Sequence, residues 1–169
     1  MKKMDIDGDG YTEAEVYTED GKIIKSLIDE DHDGKIDTTV DYKNGYRDTA
    51  EKSTRHNGIV DVWIKYYFNG VPSMIARDAN GDGKPDYWRY TKNGFVYKRE
   101  WDRNHDGKPD VRFLYDVKPD LRLVADENRL IEREYDRNFD GSFETVQTNS
   151  ARNGVAAKVT ATAGASDEV

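Results

Sequence analysis

Pairs of carboxylates two residues apart, closed by a glycine, recur along this chain. The pattern Asp-x-Asp/Asn-x-Asp-Gly-x-x-Asp/Glu is intact five times, starting at Asp5, Asp29, Asp78, Asp102 and Asp136, and a sixth, degraded copy starts at Ser53. Carboxylates at positions one, three and five converge on one point if the chain turns tightly, and glycine at position six permits the turn. Position seven offers a backbone carbonyl and position nine a further carboxylate. So many hard oxygens suit Ca²⁺, which takes six to eight donors at about 2.3–2.6 Å.

The candidate ligands follow by position. They are Asp5, Asp7, Asp9, Tyr11 and Glu13 in the first loop, and Asp29, Asp31, Asp33, Lys35 and Asp37 in the second. The fourth has Asp78, Asn80, Asp82, Lys84 and Asp86, and the fifth has Asp102, Asn104, Asp106, Lys108 and Asp110. The sixth has Asp136, Asn138, Asp140, Ser142 and Glu144. Tyr11, Lys35, Lys84, Lys108 and Ser142 enter through their carbonyls. Without a cation, two carboxylates about 4 Å apart repel by up to about 4 kcal/mol at an effective dielectric near 20. The expectation is about five Ca²⁺ ions.

The third loop has Ser53, Arg55, Asn57 and Asp61 at the ligand positions. The expectation is that it binds no calcium and that Arg55 pairs with Asp61; the alternative is that Arg55 points to solvent. His32, His56 and His105 all fall at position four. That position is expected to point away from the metal, and a zinc or catalytic role would need residues that the repeat keeps apart. No Ser-His-Asp order or phosphate-cradling loop stands out, so no enzyme and no catalytic residue is expected.

The elements that hold these loops are short. The loop glycines Gly10, Gly34, Gly58, Gly83, Gly107 and Gly141 are spaced by 24, 24, 25, 24 and 34 residues, the mark of an internal repeat. After the fourth loop come an aromatic run, Tyr87–Thr91, a turn at Lys92-Asn93-Gly94 and a second run, Phe95–Trp101. Asn-Gly between two such runs predicts a β-hairpin. Equivalent turns stand at Glu19-Asp20-Gly21, Lys43-Asn44-Gly45 and, one residue longer, Phe68-Asn69-Gly70. The fifth repeat carries an insertion around Val117-Lys118-Pro119-Asp120 before a returning strand at 129–135. The sixth places strands at 145–148 and 155–160, with a turn near Asn153-Gly154. These intervals leave no room for capped helices. The expected fold is all-β: an elongated antiparallel meander of about six 24-residue hairpins joined by calcium loops. The alternative is a closed barrel or small propeller, which would remove exposed edges. A single array is expected over 1–160, with a flexible tail over 161–169.

Hydrophobic residues make up 36% of the 169 residues, so the core is expected to be thin, aromatic-rich and supplemented by metal. The net charge of −8 sits mostly in the loops, and five Ca²⁺ ions would bring it to about +2. No basic stripe suits nucleic acid. There is no cysteine, hence no disulfide framework, and no apolar run long enough to span a membrane. Met1-Lys2-Lys3-Met4 leads straight into the first loop. The expectation is a mature form with its signal segment removed, placed outside the cytoplasm, at the cell surface or in the periplasm, where weak calcium loops are useful. The alternative is a cytosolic protein with its natural start.

The first half of each loop resembles an EF-hand. An EF-hand, however, has a bidentate Glu at position twelve and flanking helices, whereas position twelve here is Val16, Val40, Arg89, Phe113 or Gln147. With its last acid at position nine, the loop is similar to the calcium loops of integrin FG-GAP repeats, a resemblance confined to nine residues. Segments such as Trp88-Arg89-Tyr90-Thr91-Lys92-Asn93-Gly94 resemble bacterial MORN-type repeats, whose period is about 23 residues. That resemblance implies an extended antiparallel sheet and a place among calcium-loop repeat proteins of bacterial envelopes. The expected function is a multi-site calcium-binding structural, interaction or adhesion module. The alternative is a calcium-dependent carbohydrate- or ligand-binding module using Trp63, Trp88, Tyr90, Tyr97 and Trp101. Those aromatics are read first as cross-strand packing. Any protein or glycan partner is left open.

Overall fold

The computed structural model describes residues 1–116, 129–143, 145–148 and 158–161. Side chains are described as far as residue 115 and from 130 to 143. The described residues contain thirteen strands and no helix, so none is long and apolar enough to cross a membrane. The chain forms two compact units, Met1–Pro85 and Asp86–Val169.

In the first unit the strands are β1 Lys2–Met4, β2 Ala14–Glu19, β3 Lys22–Ile28, β4 Thr38–Lys43, β5 Tyr46–Lys52, β6 Val62–Tyr66 and β7 Pro72–Arg77. In the second they are β8 Tyr87–Lys92, β9 Phe95–Trp101, β10 Val111–Asp116, β11 Arg129–Tyr135, β12 Thr145–Thr148 and β13 Lys158–Ala161. Within each unit every strand pairs antiparallel with its sequence neighbours. No pairing among the described residues closes either sheet into a barrel. The fold is the expected all-β open meander, not the closed barrel or propeller.

Two kinds of connection alternate. One is the hairpin turn. Asp20-Gly21, Asn44-Gly45 and Asn93-Gly94 all have φ between 48° and 83°, as a two-residue hairpin with positive φ at both central residues requires. The other is the nine-residue loop, which bridges a flanking pair such as Ile28↔Thr38 or Trp101↔Val111. β1 was not foreseen. Lys2–Met4 is exposed and shows no apolar alternation, and it is a strand because it pairs with β2 across the first loop. The insertion around 117–120, the turn near 153–154 and the tail from 162 lie outside the described residues.

Five hairpins share a feature hidden from the sequence. Each returning strand carries one extra residue in its register: Ile24, Asp48, Ser73, Tyr97 and Ile131. Such a bulge shifts the inward–outward alternation by one residue. This is why no clean period of two runs through these strands.

The buried hydrophobic residues are small: Ala14, Val40, Ala50, Val62, Ala76 and Val111. The expected aromatic core is corrected here. Each unit is a single sheet, and the rings of Trp63, Tyr87, Trp88 and Trp101 lie half-buried on its faces. Among the described residues the largest fully buried side chains are Asp110 and Asp136, both in the loops.

Candidate metal centre

The nine residues of each loop are folded by their own side chains. The position-one carboxylate accepts the N–H of the position-six glycine: Gly10 to Asp5 at 3.0 Å, Gly34 to Asp29 at 2.9 Å, Gly83 to Asp78 and Gly107 to Asp102 at 2.7 Å, and Gly141 to Asp136 at 2.8 Å. Position three accepts from the amide of position five: Asp7, Asp31, Asn80, Asn104 and Asn138 take the N–H of Asp9, Asp33, Asp82, Asp106 and Asp140. Those position-five carboxylates accept in turn from Tyr11, Lys35, Lys84, Lys108 and Ser142. At position nine, Glu13, Asp37 and Asp110 take the N–H of Ile6, Glu30 and Arg103. Position four has φ between 51° and 84° in all six loops, at Gly8, His32, His56, Gly81, His105 and Phe139. The two glycines there hinted at this; the histidines and Phe139 did not.

These hydrogen bonds use only part of each carboxylate. Glu13 Oε1, Asp29 Oδ1, Asp37 Oδ1, Asp102 Oδ1 and Asp136 Oδ1 are buried and accept no hydrogen bond, in residues only 2–7% exposed. A buried acceptor left without a partner costs about 1–3 kcal/mol, more when charged. The second loop has two such oxygens, and ligand atoms of Asp29, Asp31 and Asp33 lie within 4.8 Å of one another. Asp5, Asp7, Asp9 and Glu13 gather likewise in the first. Hard oxygens converging around unsatisfied buried charge fit Ca²⁺.

The third loop is the contrast. Thr54 donates both its N–H and its hydroxyl to Asp61 at 2.8 Å, and Arg55 Nε stands 3.6 Å from Asp61 Oδ2. The Ser53 hydroxyl donates to Asn57. The loop is closed by its own side chains, and Arg55 pairs with Asp61 as expected while also donating to the carbonyl of Ala79.

In the fifth loop Arg103 takes both oxygens of Asp110, through Nε and the backbone N–H. A metal there would compete with that guanidinium for position nine. The fourth loop is divided at Pro85 between the two units, so Asp78, Asn80, Asp82 and Lys84 are described together and Asp86 apart from them. Glu144, the last candidate ligand of the sixth loop, lies outside the described residues.

Neighbouring loops are stitched together by backbone. The N–H of Asp29 donates to the Glu13 carbonyl, Ser53 to Asp37, Asp78 to Asp61, Asp102 to Asp86 and Asp136 to Asp110, all at 2.7–2.9 Å. Position one of each loop thus extends the ladder from position nine of the loop before. This stacking corrects the reading that the repeat keeps its histidines apart from other ligands. His32 Nε2 lies 3.6 Å from Glu13 Oε1, and its ring stacks on Tyr11 at 4.8 Å. His56 Nδ1 lies 3.1 Å from Asp37 Oδ2. That hydrogen bond raises the His56 pKa. The Tyr11 hydroxyl donates to Asp29 at 2.6 Å, which holds the Asp29 carboxyl below its ordinary pKa against the opposing effect of burial. Lys35 lowers Asp33, and the Ser142 N–H lowers Asp140. Sequence spacing carried no signal for these contacts between loops.

The aromatics pair across strands. Tyr87 and Trp101 are 5.4 Å apart, Trp101 and Phe113 4.9 Å, and Tyr90 and Tyr97 6.2 Å, all tilted or edge-on.

No protein-family model matches this chain, and no curated protein matches it. Two chains of solved structures do. One comes from a crystal structure of accessory secretory protein 1, 2 and 3 in Streptococcus pneumoniae, with 16% identity and a TM-score of 0.43. The match covers 60% of this chain and 19% of that one, a likeness too slight to carry an argument about fold or function.

Proposed function

We propose that this chain is a calcium-stapled β-repeat, a structural or interaction module whose loops bind about five Ca²⁺ ions and which works outside the cytoplasm. The observation that carries the reading is the set of buried carboxylate oxygens without hydrogen-bond donors in the first, second, fifth and sixth loops. The degraded third loop has none. In the third loop, where the pattern is broken, Thr54 and Arg55 satisfy Asp61. In four of the five intact loops a buried carboxylate oxygen is left for a cation, while in the fourth both Asp78 oxygens accept N–H groups, from Gly81 and Gly83. The small core gives such ions a structural task. At tenfold saturation each ion stabilises the fold by about 1.4 kcal/mol. Five amount to about 7 kcal/mol, comparable with the whole stability of an ordinary domain. The second loop, with two unsatisfied oxygens, is the tightest site of the set. The fifth is weaker, because Arg103 must release Asp110.

The test is calorimetric titration of Ca²⁺ into chelator-stripped protein, with thermal melting followed in parallel. About five ions bound and a large rise in melting temperature are expected. Absence of binding heat, with the same melting curve in chelator and in calcium, would discard the reading.

A further inference from the structure

The two faces of the second unit's sheet are built differently. On one, Glu100 sits between Lys98 and Arg112, with Nζ–Oε2 at 3.0 Å and Nε–Oε1 at 2.7 Å, and Arg112 Nη1 reaches Glu134 at 2.7 Å. Charge there is closed internally. On the other, the register sets Arg89 directly opposite Arg99, Arg99 opposite Phe113, and Phe113 opposite Arg133. None of the three arginines meets a carboxylate among the described residues, and the Nε of each is enclosed without an acceptor. Arg99 lies over the ring of Tyr115 and Arg133 over that of Phe113, both at 5.3 Å. Like charges placed directly across strands destabilise a sheet. No ion pair among the described residues accounts for the row.

We infer that this face binds an anionic polysaccharide laid across the strands. Strands repeat every 4.8 Å or so, so the guanidinium groups are separated by about 5 and about 10 Å. That is a sparse row, suited to a polymer with one sulfate or carboxylate every ring or two, and guanidinium is the side chain that holds such groups by paired hydrogen bonds. Beside it on the same face, two residues nearer the loops, runs the row Tyr87, Trp101, Val111 and Tyr135. The half-buried rings of Tyr87, Trp101 and Tyr135 provide apolar platforms for sugar rings. An acidic peptide would use the cations but not the platforms. A nucleic acid carries a denser charge than three arginines answer, on a chain of net charge −8. The inference does not rest on calcium binding, because no loop ligand belongs to the row.

The test measures binding of the full chain, in calcium buffer, to dextran sulfate, uncharged dextran, polyglutamate and oligothymidylate. Dextran sulfate is expected to bind, and each of Arg89→Gln, Arg99→Gln and Arg133→Gln to weaken it about tenfold. Lys98→Gln, on the opposite face, should change nothing. Arg89→Gln should also raise the melting temperature, which separates loss of binding from loss of fold. Equal affinity for the triple variant, or for uncharged dextran, overturns the inference. So does binding of polyglutamate or oligothymidylate as tight as that of dextran sulfate.

Discussion

Asp29→Asn separates a metal ligand from an ordinary hydrogen-bonding aspartate. Asp29 is 4% exposed; its Oδ2 accepts from Gly34 and Tyr11, and its Oδ1 from nothing. Asparagine keeps the shape and one carbonyl oxygen for both donors, and places its NH₂ where it can donate to Asp31 or Asp33. Without metal, weaker bonds to a neutral acceptor cost about 1 kcal/mol each. Removing one of three crowded charges returns a similar amount, about 1 kcal/mol per exposed neighbour. In chelator the variant should therefore stay within about 1 kcal/mol of the parent. In calcium it loses the site. If the parent loop is a hundredfold saturated, that is about 2.7 kcal/mol, a fall in melting temperature of roughly 5–11 °C for a chain of this size. The control is Asp61→Asn in the third loop, whose donors Thr54 and Arg55 are in place without metal. It should cost about 1–3 kcal/mol equally in both buffers. The assay is thermal melting of both variants with and without chelator. An Asp29→Asn penalty of the same size in both buffers would refute the reasoning, because Asp29 would then be structural.

Three further outcomes are expected. Ser53→Asp, Arg55→Asp and Asn57→Asp together restore the ligand pattern of the third loop and should raise calcium stoichiometry by one in calorimetry; an unchanged count would show that the position assignments are wrong. Gly34→Ala meets no neighbouring atom, but φ is +87°. It should lower stability by about 1–2 kcal/mol from backbone strain alone, in calcium and in chelator alike. Burial alone would raise the Glu100 pKa, but hydrogen bonds from Arg112 and Lys98 outweigh it and hold the carboxyl below its usual range. A depressed acid stabilises above its unfolded pKa and loses that contribution as pH falls through the folded value. Glu100→Gln should thus cost about 3 kcal/mol at neutral pH, leaving Arg112 half-paired. The gap from wild type should close below about pH 4 in denaturant titrations.

What the sequence made legible is what local chemistry decides. Asn44-Gly45 and Asn93-Gly94 had to turn with positive φ, so the hairpins were readable, and the returning strand Phe95–Trp101 to the residue. Positions one, three and five of the loops were legible as oxygen donors at a converging spacing, and their carboxylates gather in the first two loops. What stayed hidden depends on neighbours distant in sequence. The bulges at Ile24, Asp48, Ser73, Tyr97 and Ile131 turn alternating patterns out of phase, so the sheet faces could not be assigned from the strands alone. The step from Glu13 to Asp29 and from Asp37 to Ser53 stacks each loop on the one before. That contact, not any motif, brings His32 to Glu13 and His56 to Asp37. It also gives the third loop a structural reason to persist after losing its ligands. The Ser53 N–H donates to the Asp37 carbonyl, and His56 leans on the Asp37 carboxylate, so a loop without a pattern for calcium helps to wall the loop with the strongest one.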